Sequence, residues 1–244
     1  MSSESEKTIA EVRNVNVTRA GIYDFLSRSF KLEVDEDFIR SLTAIKWAVR
    51  LLAESYECDD MREANRLLHE FTEQVKELKG EDRMRLITNL HVEYAGLFLG
   101  ASPKPVHLVE SVYLGGEQLL YGKPYHEVLE AYRSLGFEKE KGFTEPEDHV
   151  AVEFQFMANL CKWTCQALEN RDIKNALVYL NLQKEFLRDH IIKWVPDLSK
   201  RLEAVATSNL YKAIAHLTNG FITMDNEMLD HLAAVLKNGI KATK

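Results

Sequence analysis

Apolar side chains recur every three or four residues along almost the whole chain, and only one stretch, from Gly100 to Lys123, breaks the rhythm. Ile22, Phe25, Leu26 and Phe30 mark one face of a first helix over residues 15–30. Phe38, Leu42, Ile45, Val49 and Leu52 mark a second from Asp35 to Glu54. Leu67, Leu68, Phe71, Val75 and Leu78 mark a third from Asp59 to Lys79, stopped at Gly80, and a fourth runs to Leu99 and stops at Gly100. After the break, Pro124 opens a helix with Val128, Leu129, Tyr132 and Leu135 that closes at Gly136. A helix opened by Thr144 follows, and Asp172 caps one that reaches Trp194. Pro196 ends that helix and begins another with Leu198, Leu202 and Val205. Leu210, Ile214, Leu217 and Phe221 make a helix from Ser208, and Asn226 to Lys237 a last amphipathic piece. The sum is about ten helices with no convincing strand, which predicts an all-α bundle. The 11 Gly and 5 Pro in 244 residues suit helices better than sheets, and 45% hydrophobic content suffices for a sizeable core. The pattern divides into a polar tail over 1–14, an N-terminal helical half over 15–136, a hinge over 137–143, a C-terminal helical half over 144–237 and a fraying tail over 238–244.

Several chemistries fail on spacing. The net charge of −7 disfavours a nucleic-acid partner. No run of about 18 apolar residues exists, and the polar, acidic start is neither a secretory signal nor a membrane anchor. Cys58, Cys161 and Cys165 are too few for a disulfide framework, so a cytoplasmic protein is expected. Cys161 and Cys165, one helical turn apart, read as core rather than as metal ligands. The histidines form neither an H-E-x-x-H pair nor paired E-x-x-H segments, so no metal is expected. Gly116 to Lys123 fails as a phosphate loop, because Pro124 stands where a hydroxyl must reach magnesium. No G-x-S-x-G turn is present. A non-catalytic protein without cofactors is the expectation.

The most pointed stretch runs from Gly142 to Cys165, GFTEPEDHVAVEFQFMANLCKWTC. Thr144 as N-cap, Pro146 in the first turn and Glu147 three residues past the cap form a capping box. Glu145, Glu147 and Asp148 then sit where the helix dipole favours negative charge. A helix from Thr144 stacks His149 between Glu145 and Glu153 and favours its protonated form. That arrangement is either a surface salt-bridge ladder or a recognition site.

Read together, Tyr94 to Gly100 (YAGLFLG), Glu110 to Leu114 (ESVYL), Gly116-Glu117, Pro124-Tyr125, and Glu145 to His149 followed by Phe156-Met157 make a pattern. It resembles the TorD/DmsD/NarJ family of redox-enzyme maturation chaperones over roughly Val15 to Met224, and His190, Trp194 and Pro196 match a family-like H-x-x-x-W-x-P spacing. The resemblance implies an all-helical cytoplasmic chaperone that binds the twin-arginine signal peptide of a molybdopterin-containing oxidoreductase catalytic subunit and delays its export until the cofactor is inserted. It also implies possible homodimers formed by domain swapping through the hinge. The alternatives are a NarJ-like assembly scaffold independent of export and a weak nucleotide-binding protein. A twin-arginine peptide needs carboxylates beside an apolar groove. Glu145, Asp148 and His149 are the expected recognition residues with Glu110 and Ser111, while Leu97, Phe98, Val112, Tyr113 and Tyr121 are the expected groove. Thr144, Pro146 and Glu147 are expected to be structural.

Overall fold

The computed structural model of the chain describes residues 3–115 and 120–241. The motif pair Gly116-Glu117 lies outside them. The α-helices are α1 (Ser3–Lys31), α2 (Glu36–Ser55), α3 (Asp59–Glu77), α4 (Gly80–Phe98), α5 (Glu110–Leu114), α6 (Lys123–Ser134), α7 (Val150–Glu169), α8 (Ile173–Phe186), α9 (Ile192–Val205) and α10 (Asn209–Lys241). A π-helical turn, Leu187–Ile191, joins α8 to α9. No strand forms among the described residues. The one β-type pairing there is an isolated antiparallel bridge between Val109 and His149.

The periodic stretches all became helices, but several ends moved. α1 begins at Ser3 rather than near residue 15, because Ile9 and Val12 are buried. Each such side chain contributes about 1.5–3 kcal/mol, enough to hold an otherwise polar segment. Pro196 does not end a helix; it lies inside α9, and the π turn upstream absorbs the change of register. The stretches expected from Ser208 and from Asn226 are one helix, α10, which continues to Lys241 through the segment expected to fray. Gly100 (φ +73°) and Gly136 (φ +65°) end α4 and α6 in the left-handed region, as their places in the sequence predict.

The core is shared between the two sequence halves: α1 packs along α7 and α3 along α10. α3 and α10 approach closely at Gly220, where an added Cβ would lie 3.0 Å from the Met61 backbone nitrogen and 3.0 Å from Asp60 Cβ. Backbone cannot retreat there. Gly220→Ala is therefore expected to destabilise by about 1–2 kcal/mol despite alanine's better helix propensity, as urea unfolding would show.

A polar network crosses this core. Buried Arg19 on α1 donates to both carboxylate oxygens of Asp225 on α10, from Nε at 2.5 Å and Nη2 at 2.9 Å, and from Nη1 to Asn16 and Gln183. Tyr23 Oη donates to Asp225 at 2.6 Å, and Gln183 on α8 donates to Thr164 on α7. Burial opposes the Arg19 charge, yet Asp225 more than offsets it and raises the guanidinium's pKa. Burial pushes the Cys161 thiol up to about 12, so it stays a neutral packing group, as its sequence position suggests.

Candidate functional site

The turn before α7 is built differently from its sequence pattern. Thr144 is exposed and does not cap the helix; α7 starts at Val150, with His149 as N-cap accepting through Nδ1 from the Ala151 N–H at 3.1 Å. The cause is non-local. The Val150 N–H donates to Leu108 O at 2.8 Å and the Glu110 N–H to Asp148 O at 2.9 Å, so the backbone around His149 is held extended against 108–110 and the helix cannot start before Val150. Glu147 does not complete a capping box. Its carboxylate pairs with Lys139 at 3.1 Å and, although burial opposes ionisation, Lys139 and Tyr125 hold its pKa below the usual range.

Behind this pairing lies a buried acidic junction. Asp148 Oδ2 accepts from the Ser111 N–H at 2.9 Å and from Ser111 Oγ. Glu110 pairs with His190 of the π turn, Nδ1 to Oε2 at 3.1 Å. Glu153, one turn into α7, is fully buried close to the Glu110 carboxyl and the Trp194 indole, yet neither of its oxygens makes a hydrogen bond of standard geometry among the described residues, and nor do Asp148 Oδ1 and Trp194 Nε1. Burial, with the Glu110 and Asp148 carboxyls beside it, pushes the Glu153 pKa well above its usual value. The expected stacking of His149 between Glu145 and Glu153 does not occur. Its imidazole is buried at the helix entrance beside Phe143, and burial, reinforced by Lys139, lowers its pKa to about 3, so it is neutral rather than protonated.

In front of the junction opens a groove of about 330 Å³. Phe30 of α1, Tyr94 and Phe98 of α4 and Phe143 form its aromatic walls, residues 105–109 its far side, and Glu145 stands exposed at its mouth with His149 at its base. Tyr94 is fixed by its hydroxyl donating to Phe30 O at 3.2 Å, and the Val106 N–H donates to Leu97 O at 2.7 Å, tying the far side to α4.

Of the residues expected at a recognition site, this groove gathers Phe98, Glu145 and His149. Glu110, Ser111 and Asp148 lie buried beyond its wall, bonded within the protein. Leu97 points to a different and larger groove of about 720 Å³ between α3, α4 and the α9–α10 corner. Val112 and Tyr113 do not line the groove; Tyr113 packs on Trp194 and donates to His107 O at 2.9 Å. Tyr121 is exposed with φ +64° and stacks edge-on to Tyr125. Phe30 was expected only as a core residue of the first helix, Phe143 was not expected at the site, and Glu153 entered only as a neighbour of His149. Only Glu153 carried a legible signal, a carboxylate set within the apolar run from Val150 to Phe156.

Comparison with known proteins places the chain in a family. The family model described as nitrate reductase delta subunit matches residues 56–200. Proteins named chaperone protein TorD align over nearly the whole chain. That of Vibrio cholerae serotype O1 is 29% identical over 222 residues, covering 91% of this chain and 96% of its own length. That of Shewanella piezotolerans is 27% identical over 228 residues, covering 90% and 96%. That of a Psychrobacter species is 24% identical over 219 residues, covering 89% and 94%. On the extent of the family match and the all-helical architecture around the 108–110 and 148–150 pairing, the chain belongs to the TorD/NarJ family, the nitrate reductase delta subunit family.

Proposed function

We propose that this protein is a cytoplasmic, non-catalytic chaperone for a molybdopterin-containing oxidoreductase subunit. It holds that subunit's twin-arginine leader until the cofactor is inserted. The observation that carries the reading is the pairing of an exposed carboxylate, Glu145, with the aromatic walls Phe143, Tyr94 and Phe98 in one groove. A guanidinium is met there by the Glu145 carboxylate beside the Tyr94 and Phe98 rings, the Phe143 ring already carrying the Lys31 ammonium, and the apolar stretch after the arginines by the groove wall. Asp148, Ser111 and Glu110 act by positioning, holding residues 108–110 against 148–150 so that the groove keeps its shape. The family and the relatives' names support the chaperone role, and no helix among the described residues is long and apolar enough to cross a membrane.

Charge reversal at Glu145 tests the recognition step. Glu145→Lys should weaken a twin-arginine peptide by about tenfold in calorimetry, more than an exposed ion pair alone gives, because the groove partly desolvates it. The same variant should leave the melting temperature unchanged. Equal affinity of wild type and variant would place the leader elsewhere. The description of the matched family favours a second reading, assembly of a molybdoenzyme without export. Capture of the client with its leader deleted would select it. Nucleotide hydrolysis with Asp148 and His149 as base and acid is disfavoured, since both side chains are buried and bonded internally.

A further inference from the structure

Away from that groove, the outer faces of α1 and α2 present a surface of exposed apolar and uncharged polar side chains, in which the Arg50 guanidinium lies over the Trp47 ring at 5.7 Å from its centroid. Asn14, Val17, Thr18 and Gly21 of α1 and Ala44, Trp47, Leu51 and Ser55 of α2 are all exposed, with Val17 at 52%, Leu51 at 54% and Trp47 at 61%. In a chain that is 28% charged, three large apolar side chains exposed together beside the Arg50–Glu54 pair mark a contact surface. Beside it, α1, α2 and α10 enclose a pocket of about 280 Å³, walled by Ile22, Leu52, Phe221, Met228 and Leu232. Its one guanidinium, Arg19, is already committed to Asp225. The pocket is smaller than a site for a drug-sized ligand and offers an arginine no counter-charge, so it takes one large neutral side chain.

We propose that a second copy of the chain docks here, with Trp47 of each copy seated in the other's pocket. Knob and hole are adjacent on one face: Leu51, one turn from Trp47, lines the pocket, and so does Ser55 a turn further on. A face that carries its own knob beside its own hole is self-complementary about a two-fold axis, the commonest oligomer symmetry. The surrounding charges fit the same arrangement. Arg50 pairs with Glu54 on the exposed side of α2, Nε to Oε1 at 2.8 Å. An antiparallel crossing of the two α2 helices centred at the level of Leu52 sets Arg50 opposite the second copy's Glu54, and the same register brings Trp47 to the Ser55–Tyr56 end of the second copy's pocket. A single-sign rim would repel its twin; this one does not. The contact area is one helix face, which gives a weak, concentration-dependent dimer distinct from one made by exchanging halves through residues 137–143.

Sedimentation equilibrium of the full chain tests this. The wild type should self-associate with a dissociation constant in the range of about 1–100 μM. Trp47→Glu should weaken that by at least about thirtyfold, the size of a tryptophan hot spot, with an unchanged melting temperature because the side chain is exposed. Arg50→Glu should weaken it about tenfold, and Arg50→Glu with Glu54→Arg should restore it. A wild type that stays monomeric at several hundred μM overturns the proposal, as does a dimer indifferent to Trp47→Glu and Arg50→Glu. Loss of client binding in Trp47→Glu without any change in association would assign the face to the client instead.

Discussion

Asp225→Ala should destabilise the protein by about 3–5 kcal/mol and lower its melting temperature by roughly 10 °C. The aspartate is wholly buried, and its two oxygens take three donors, Arg19 Nε, Arg19 Nη2 and Tyr23 Oη. Removing it strands a guanidinium that cannot reach water. Asn16 and Gln183 still accept from Nη1, but neither carries charge. The loss is large because the orphaned charge is costly, and the intact pair adds little over an apolar match of the same shape. The double variant Arg19→Met with Asp225→Leu should accordingly recover most of the stability. Asp59→Ala, which breaks an exposed pair with Arg62, should change stability by less than about 0.5 kcal/mol. Urea unfolding of the four proteins decides the matter, and a double variant as unstable as the single one would show that the pair itself carries the energy. The network also bears on the groove, because α1 is the helix that it fastens to α8 and α10 and that carries Phe30 in its last turn.

The helices were legible because their cause is local. Apolar residues three and four apart share a face whatever the rest of the chain does, so Leu67, Phe71 and Val75 announce α3 without reference to its partner α10. Misplaced ends have non-local causes. Ile9 and Val12 are too sparse to signal a helix by themselves, and only their burial extends α1 to Ser3. Pro196 reads as a terminator unless the π turn before it is known. The turn at Thr144 to His149 shows the same limit at the site. Its residues satisfy every local rule for a capping box, yet two backbone hydrogen bonds to residues 108–110 outweigh a preference worth about 1 kcal/mol and move the N-cap from Thr144 to His149. Glu145 fits the recognition role proposed for it because its carboxylate stays at the surface. Asp148 and Glu110 have the same chemistry in sequence, and their burial follows from that pairing, which no spacing rule contains.

The pH dependence of stability should be nearly flat between about pH 5 and 6.5 in the wild type and should tilt in opposite directions in two single variants. His149 is neutral in the folded chain, with its pKa lowered to about 3 from an ordinary 6.5. Below 6.5 the unfolded chain takes up a proton that the folded chain refuses, so stability falls as pH falls, by roughly 2.5 kcal/mol at pH 4.5. Glu153 has the opposite sign. Its pKa lies well above the ordinary 4.5, so above 4.5 the unfolded chain releases a proton that the folded chain keeps, and stability falls as pH rises, at up to about 1.4 kcal/mol per unit. Over this window the two slopes oppose each other. Other carboxylates with lowered values, such as Asp35, begin to matter only below about 4.5 and leave the window clear. His149→Asn keeps a helix cap without a titrating group and should leave the Glu153 slope alone, so that variant loses stability on raising the pH. Glu153→Gln should leave the His149 slope alone and lose stability on lowering it, while gaining stability near pH 8, where holding the Glu153 proton costs the wild type. Urea unfolding of both variants and their combination at pH 5, 6.5 and 8 supplies the measurement. Parallel profiles in all the proteins would mean that the junction behind the groove is open to water, and that Asp148 and Glu110 are then free to meet a guanidinium directly instead of shaping the wall that does.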